Sequence, residues 1–205
     1  SRRNVPFMRY SKKERPVMSK LEICEFVRNI ICQAKRKQES RDSQAIREIA
    51  ALRSGMSITT EYRAYPYVLP DLGNASPRER MVALRCAAMI AEYADLGADS
   101  DDASPLRFGV WANHLARKIG DDDSVDGMIA SRLEYLHTQD VEEAITTIRR
   151  ILQYAQSNSF TQRVDFIQLF KTFWYWGNGY NNDSLNRRLQ ILRDFYGASN
   201  PVTTN

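Results

Sequence analysis

The side chains best suited to chemistry in this chain are arginines, placed in adjacent pairs or beside helix-start signals. Arg149-Arg150 lie between Ile148 and Ile151, and Arg187-Arg188 lie next to Leu185 and Leu189. At helical spacing the flanking apolar residues turn inward, so each pair is expected to project toward solvent. Arg53 closes one helical pattern, and Arg78 opens another directly after Ser76-Pro77. A guanidinium is a planar fork that matches a phosphate bidentately. At Arg78 the amides and dipole of a helix start would add to that attraction. Gathered on one face, such residues make a phosphate-binding surface. Taken singly, each is equally at home on a solvated face or in a surface ion pair.

Catalytic chemistry finds little support. Glu142-Glu143 are adjacent, so on a helix their side chains diverge by about 100° and cannot frame one substrate. First-turn carboxylates complementing a helix dipole describe them better. Asp121-Asp122-Asp123 lack the spaced ligands of a calcium loop and read as a helix cap with a solvated face. His114 and His137 have no nucleophile near them in sequence, and no glycine-rich phosphate loop or nucleophile elbow occurs. Cys24, Cys32 and Cys86 include no CxxC pair, so a zinc site is not expected, nor any other metal or cofactor. All three sit among apolar helical neighbours, which predicts reduced, buried thiols in a cytoplasmic protein. Phe166, Phe170, Phe173, Trp174, Tyr175 and Trp176 make one helix rich in aromatics. A base-stacking platform is one reading, but the spacing of 166, 170, 173 and 174 is that of a core stripe, with Tyr175 and Trp176 placed to reach its rim.

The elements that would carry these residues are helices throughout. Ser19-Lys20-Leu21-Glu22 and Ser76-Pro77-Arg78-Glu79 are capping-box patterns. The first opens a helix with Ile23, Val27, Ile30, Ile31 and Ala34 inward. A second helix spans 43–54 with Ile46, Ile49, Ala50 and Leu52 inward. The helix after Ser76 runs to Leu96. Ser104-Pro105 starts another, carrying Phe108, Trp111, Leu115 and Ile119. Further helices are expected over 124–136, from Asp140 through Ala155, over 164–176 and over 183–196. Residues 62–73 read as an irregular, partly buried connection. The fold class is all-α, about eight helices in two small bundle lobes, 17–96 and 104–197. An acidic loop at 97–103 joins them, a basic arm covers 1–16, and 198–205 form a tail.

The chain has 205 residues and a formal net charge of +4, which conceals a division. Residues 1–53 carry 14 basic and 6 acidic side chains, 54–148 carry 8 and 16, and 149–205 carry 7 and 3. Two basic ends therefore flank an acidic middle. No run approaches the ~20 apolar residues of a membrane-spanning helix. The basic start has no apolar stretch after it, so no secretory signal is expected.

The order of several short stretches resembles the small subunit of the type I-E CRISPR Cascade surveillance complex, the CasB family. They are Ala51-Leu52-Arg53, Tyr65-Pro66-Tyr67-Val68-Leu69-Pro70, Pro77-Arg78 with Ala83-Leu84-Arg85, and Arg132-Leu133-Glu134-Tyr135-Leu136. Ile148-Arg149-Arg150-Ile151-Leu152, Val164-Asp165-Phe166, Phe173-Trp174-Tyr175-Trp176-Gly177 and Leu192-Arg193-Asp194-Phe195-Tyr196 complete the set, which covers roughly 20–197. The resemblance implies an all-helical, non-enzymatic protein of antiviral defence. It implies two copies per complex, contact with the other Cascade subunits, above all the guide-coating backbone subunits, and a basic surface holding the target and displaced DNA strands of the R-loop. Carried over by position, Arg53, Arg78, Arg132, Arg149 and Arg150 match nucleic-acid-contacting positions; Arg187 and Arg188 match through the basic character of the last helix. The chain departs from the family at Asp95, Asp99, Asp101 and Asp102, where relatives carry basic residues, and at Thr138 and Val141. A different class remains open: a helical adaptor that self-associates through its charge asymmetry without binding nucleic acid.

Overall fold

The structure, a computed structural model, describes residues 20–98, 105–121 and 127–198. Helices dominate: α1 (Lys20–Glu39), α2 (Ser43–Arg53), the single turn α3 (Tyr65–Val68), α4 (Pro77–Glu92), α5 (Phe108–Lys118), α6 (Met128–Glu134), α7 (Val141–Ser157), α8 (Phe166–Trp174) and α9 (Asn182–Gly197). Short 3-10 turns fill 54–56, 61–63, 69–72, 94–96 and 136–138. The protein is all-α: the described residues contain no strand, only isolated bridges from Val164 to Gly97 and Leu106.

Local sequence explains most boundaries. At α4 the Ser76 amide donates to Glu79 Oε2 at 2.6 Å and the Glu79 amide donates to Ser76 Oγ at 3.3 Å, closing the expected box. Asp121 caps the following helix as expected, accepting from the Met128 and Ile129 amides, each at 3.0 Å. The box expected at Ser19, the arm 1–16, residues Asp122 and Asp123, most of the acidic loop and nearly all of the tail lie outside the described residues. Residues 62–73 are a chain of short helical turns rather than irregular coil.

Two helix starts differ from expectation for one reason. The Val164 amide donates to the Leu96 carbonyl and the Asp165 amide to the Leu106 carbonyl, both at 2.9 Å. Backbone groups near 106 and 164 are thereby committed to each other, so α5 begins at Phe108 rather than after Ser104-Pro105, and α8 begins at Phe166.

Helix α4 is the axis of the molecule. Every residue from Val82 to Ala91 is buried, and α1, α2, α7 and α8 pack around it. Buried side chains on both sides of residue 100 belong to one contiguous core. Phe26 of α1 meets Phe170 of α8 edge to face at 5.6 Å, across the expected lobe boundary. The five inward residues expected on α1 are all buried. Ile46 is not: it is 41% exposed, because Ala45, Ile49 and Leu52 form the inner stripe of α2. Trp176 does not reach the rim; it is fully buried and donates from Nε1 to the Gln139 carbonyl at 3.0 Å. Of the three thiols only Cys86 is buried, Cys24 being half-buried and Cys32 exposed. Cys32 lies on the outer stripe that α1 shares with Arg28, Asn29 and Arg36, which the apolar neighbours Ile30 and Ile31 conceal in a linear reading.

Candidate nucleic-acid interface

The seven arginines singled out by sequence fall into separate groups. Arg53 ends α2, exposed, and donates from Nε to the Ala91 carbonyl at 3.4 Å. Arg149 of α7 closes on the neighbouring residue, Glu92, through Nε at 2.8 Å and Nη2 at 2.9 Å. Arg53 and Arg149 thus converge on the C-terminal end of α4 from either side. Hydrogen bonding and the charge of Glu92 raise the Arg149 pKa against the opposing effect of burial. Arg150, one residue on, is exposed, and no carboxylate within the described residues pairs with it. It borders a shallow hollow that also holds Asp140, Glu142 and Glu143 at the start of α7.

A second group gathers at the opposite end of α4, about 21 Å away by helix rise from Arg78 to Glu92. The last carbonyls of α8 have no helical partner, and three arginines take them or their neighbours. Arg78 Nη1 donates to the Trp174 carbonyl at 3.3 Å, and Arg187 Nη1 to the Tyr175 carbonyl at 2.5 Å. Arg188 donates from Nε to the Trp176 carbonyl at 3.1 Å and from Nη2 to the Gly177 carbonyl at 2.7 Å. Positive charge at a helix C-terminus is favourable, which helps hold three guanidinium groups so close.

Arg188 corrects the expectation that both members of its pair face solvent. It is 5% exposed, its Nη1 also donates to the carbonyls of His137 and Gln139, and its guanidinium lies 5.0 Å from the centre of the Trp176 ring. Adjacent helical residues diverge by about 100°, and it is Arg188 that falls on the inward stripe of Ser184, Ile191 and Phe195. Burial, and then the charge of Arg78, hold the Arg188 pKa below its ordinary value. Arg187 and Arg78 remain exposed. Arg132 lies exposed along α6, its Nε 3.3 Å from Met128 Sδ, and joins neither group.

Sequence reasoning passed over Arg85, which is 3% exposed in the middle of α4. It binds Glu61 at 2.6 Å, Glu142 at 2.7 Å and the Gly55 carbonyl at 2.5 Å, tying α4 to the 61–63 turn and to α7. Burial alone would lower its pKa; the two carboxylates outweigh that and raise it. A lone arginine in the apolar run from Val82 to Ala91 was the available signal. Among the described residues, no group of His, Cys, Asp and Glu is arranged to hold a metal ion. No helix there is long and apolar enough to cross a membrane.

Fold and surface together define an all-helical protein whose distinctive chemistry is arginine set around both ends of a central buried helix. Residues 48–196 match the family model of the CRISPR-associated protein Cse2, and the chain belongs to that family. Two solved structures share the fold, both from Thermus thermophilus: a CRISPR-associated protein of the Cse2 family, and CasB. The first is 19% identical with a TM-score of 0.58, the second 18% with 0.57, and each match covers 83% of this chain and 97% of the other. Among curated protein sequences none matches the chain significantly.

Proposed function

We propose that this chain is the non-enzymatic small subunit of a type I-E CRISPR Cascade complex, binding nucleic acid without sequence preference to stabilise the R-loop in antiviral defence. The observation that carries the reading is the convergence of Arg53 and Arg149 on the end of α4, with Arg150 exposed beside them. Arg53 and Arg150 offer free donors to phosphate, while Arg149 is held by Glu92 and contributes mainly position. The carboxylates at the start of α7 repel a phosphate chain, so its path runs from Arg150 toward Arg53 rather than along the first turn of α7.

The energetic role follows from the balance of strand exchange. The heteroduplex formed is about as stable as the duplex it replaces, so modest protein contacts decide the outcome. A subunit that holds the displaced strand removes the competitor for re-annealing. Arginines on phosphates do this without reading bases. The other Cascade subunits, a second copy of this chain and the two DNA strands are the partners, and the cytoplasm is the compartment.

The test is binding of a labelled single strand, and R-loop lifetime in the assembled complex, for the wild type and for Arg53→Ala with Arg150→Ala. The reading expects both to fall with the fold unchanged. Salt-dependent self-association with no measurable nucleic-acid affinity would favour the adaptor instead.

A further inference from the structure

A cleft of about 730 Å³ separates the outer faces of α8 and α9. Its walls are built from helical stripes. Gln168 and Lys171 of α8 and Tyr175 at its C-terminal cap recur at three- and four-residue steps, as do Asn186, Gln190 and Arg193 on α9, with Arg187 beside them. Arg107, at the mouth of α5, closes one side, but it is spent on Asp194 at 3.0 Å. Gln190 Nε2 also donates to Asp194, at 2.8 Å, so that carboxylate is neutralised and held. Lys171, Arg187 and Arg193 then face Asp183 alone, and the cleft keeps a positive surplus.

The cations are held in place while keeping donors free. Arg187 uses one nitrogen on the Tyr175 carbonyl, and its guanidinium lies 5.5 Å from the Tyr175 ring centre. Arg193 uses Nη2 on Asn186 Oδ1 at 3.0 Å. A guanidinium has five N–H donors, so each retains most of its capacity. Lys171 Nζ lies 3.4 Å from Cys24 Sγ, a weak acceptor, and keeps its remaining protons. From Arg187 to Arg193 α9 rises about 9 Å, room for a short run of backbone rather than a single ion. Amide side chains line the floor, and an aromatic ring stands beside the cations. Cationic rails with an adjacent aromatic ring suit single-stranded nucleic acid, whose phosphates and base faces they meet together.

We propose that the α8–α9 cleft is a second nucleic-acid track, in which Lys171 and Arg193 contact phosphates and Tyr175 stacks on a base. This rests on the reading that the chain binds nucleic acid, and adds to it a site distant from Arg53 and Arg150. Of these residues only Arg187 belongs to the positions suggested by resemblance.

The experiment measures binding of a labelled oligo-dT strand to the full chain by anisotropy, as a function of salt. Four proteins are compared: wild type, Lys171→Gln with Arg193→Gln, Tyr175→Leu, and Arg53→Ala with Arg150→Ala. Circular dichroism and thermal melting confirm that each folds. Each lost phosphate contact lowers the slope of log affinity against log salt by about 0.7, so the 171/193 variant should lose about 1.4. Between 50 and 200 mM salt its affinity then falls about sevenfold less than that of the wild type. Tyr175→Leu should weaken binding at least about fivefold with the slope unchanged. A 171/193 variant with wild-type affinity and slope overturns the cleft while leaving the Arg53–Arg150 reading intact. Wild type that does not bind overturns both. Polyglutamate that displaces the strand as well as unlabelled oligo-dT, with Tyr175→Leu binding normally, assigns the cleft to acidic peptides and overturns the proposal.

Discussion

Arg149 and Glu92 are locked together by two hydrogen bonds, Nε to Oε2 at 2.8 Å and Nη2 to Oε1 at 2.9 Å, between helices 57 residues apart in sequence. The pair joins α7 to the end of α4 and separates the roles of two adjacent arginines. Both side chains keep 31% exposure, so the interaction is worth about 1 kcal/mol rather than the larger value of a buried pair.

Arg149→Ala should therefore lower the melting temperature by about 2–4 °C. Arg150→Ala should leave melting unchanged and weaken single-strand binding. Differential scanning calorimetry beside an anisotropy titration separates the two. Equal melting losses for both variants would refute the division of labour.

Arg188 gives the opposite case. Its guanidinium satisfies the carbonyls of His137, Gln139, Trp176 and Gly177, which join the loop before α7 to the loop after α8. Arg188→Ala removes the donor to the His137 and Gly177 carbonyls and leaves those of Gln139 and Trp176 with Trp176 Nε1 and Ser184 Oγ alone, at a cost of about 1–3 kcal/mol. Denaturant unfolding should show that loss as a lower midpoint with an unchanged slope. A variant as stable as the wild type but defective in strand binding would restore Arg188 to the interface.

Burial pushes the Cys86 thiol well above its ordinary range. The folded state therefore keeps a proton that the unfolded chain releases above about pH 8.5. Stability contributed by that thiol is complete below this pH and declines as pH rises beyond it. Unfolding free energies at pH 7 and pH 10 should differ less for Cys86→Ala than for the wild type. In the native protein a thiol reagent should modify Cys32 at once and Cys86 only as fast as the protein unfolds. Immediate labelling of Cys86 would contradict the packing of α4.

Gly109 faces α9 so closely that an added Cβ would lie 2.6 Å from Asp194 Cβ and 2.9 Å from the Phe195 amide nitrogen. Backbone cannot yield as a flexible side chain does. Gly109→Ala should cost about 1–3 kcal/mol, read by thermal melting. An unchanged melting temperature would mean that α5 and α9 are not packed this tightly.

Helix identity was legible because periodicity and caps act locally: Ser76, Asp121 and the inner stripe of α1 behave as their spacing requires. The starts of α5 and α8 were not, since the bridges from Val164 to Gly97 and Leu106 join segments far apart in sequence. The arginine surface was half legible. Adjacent arginines look equivalent along a line, but Arg188 shares the inward stripe of Ser184, Ile191 and Phe195, a spacing visible in advance. The Arg149–Glu92 pair and the three arginines at the end of α8 depend on tertiary approach, and no local pattern encodes it. The opposite lesson comes from Arg107 and Lys171. Neither belongs to a pair or a start signal, and each acquires a role only through the cleft that surrounds it.

The most direct test of the nucleic-acid role is the salt dependence of single-strand affinity for wild type and for Arg53→Ala with Arg150→Ala. The account predicts measurable wild-type binding and a slope of log affinity against log salt that drops by about 1.4 when both arginines are removed. An identical slope in the two proteins, or no wild-type binding at any salt concentration, would contradict it.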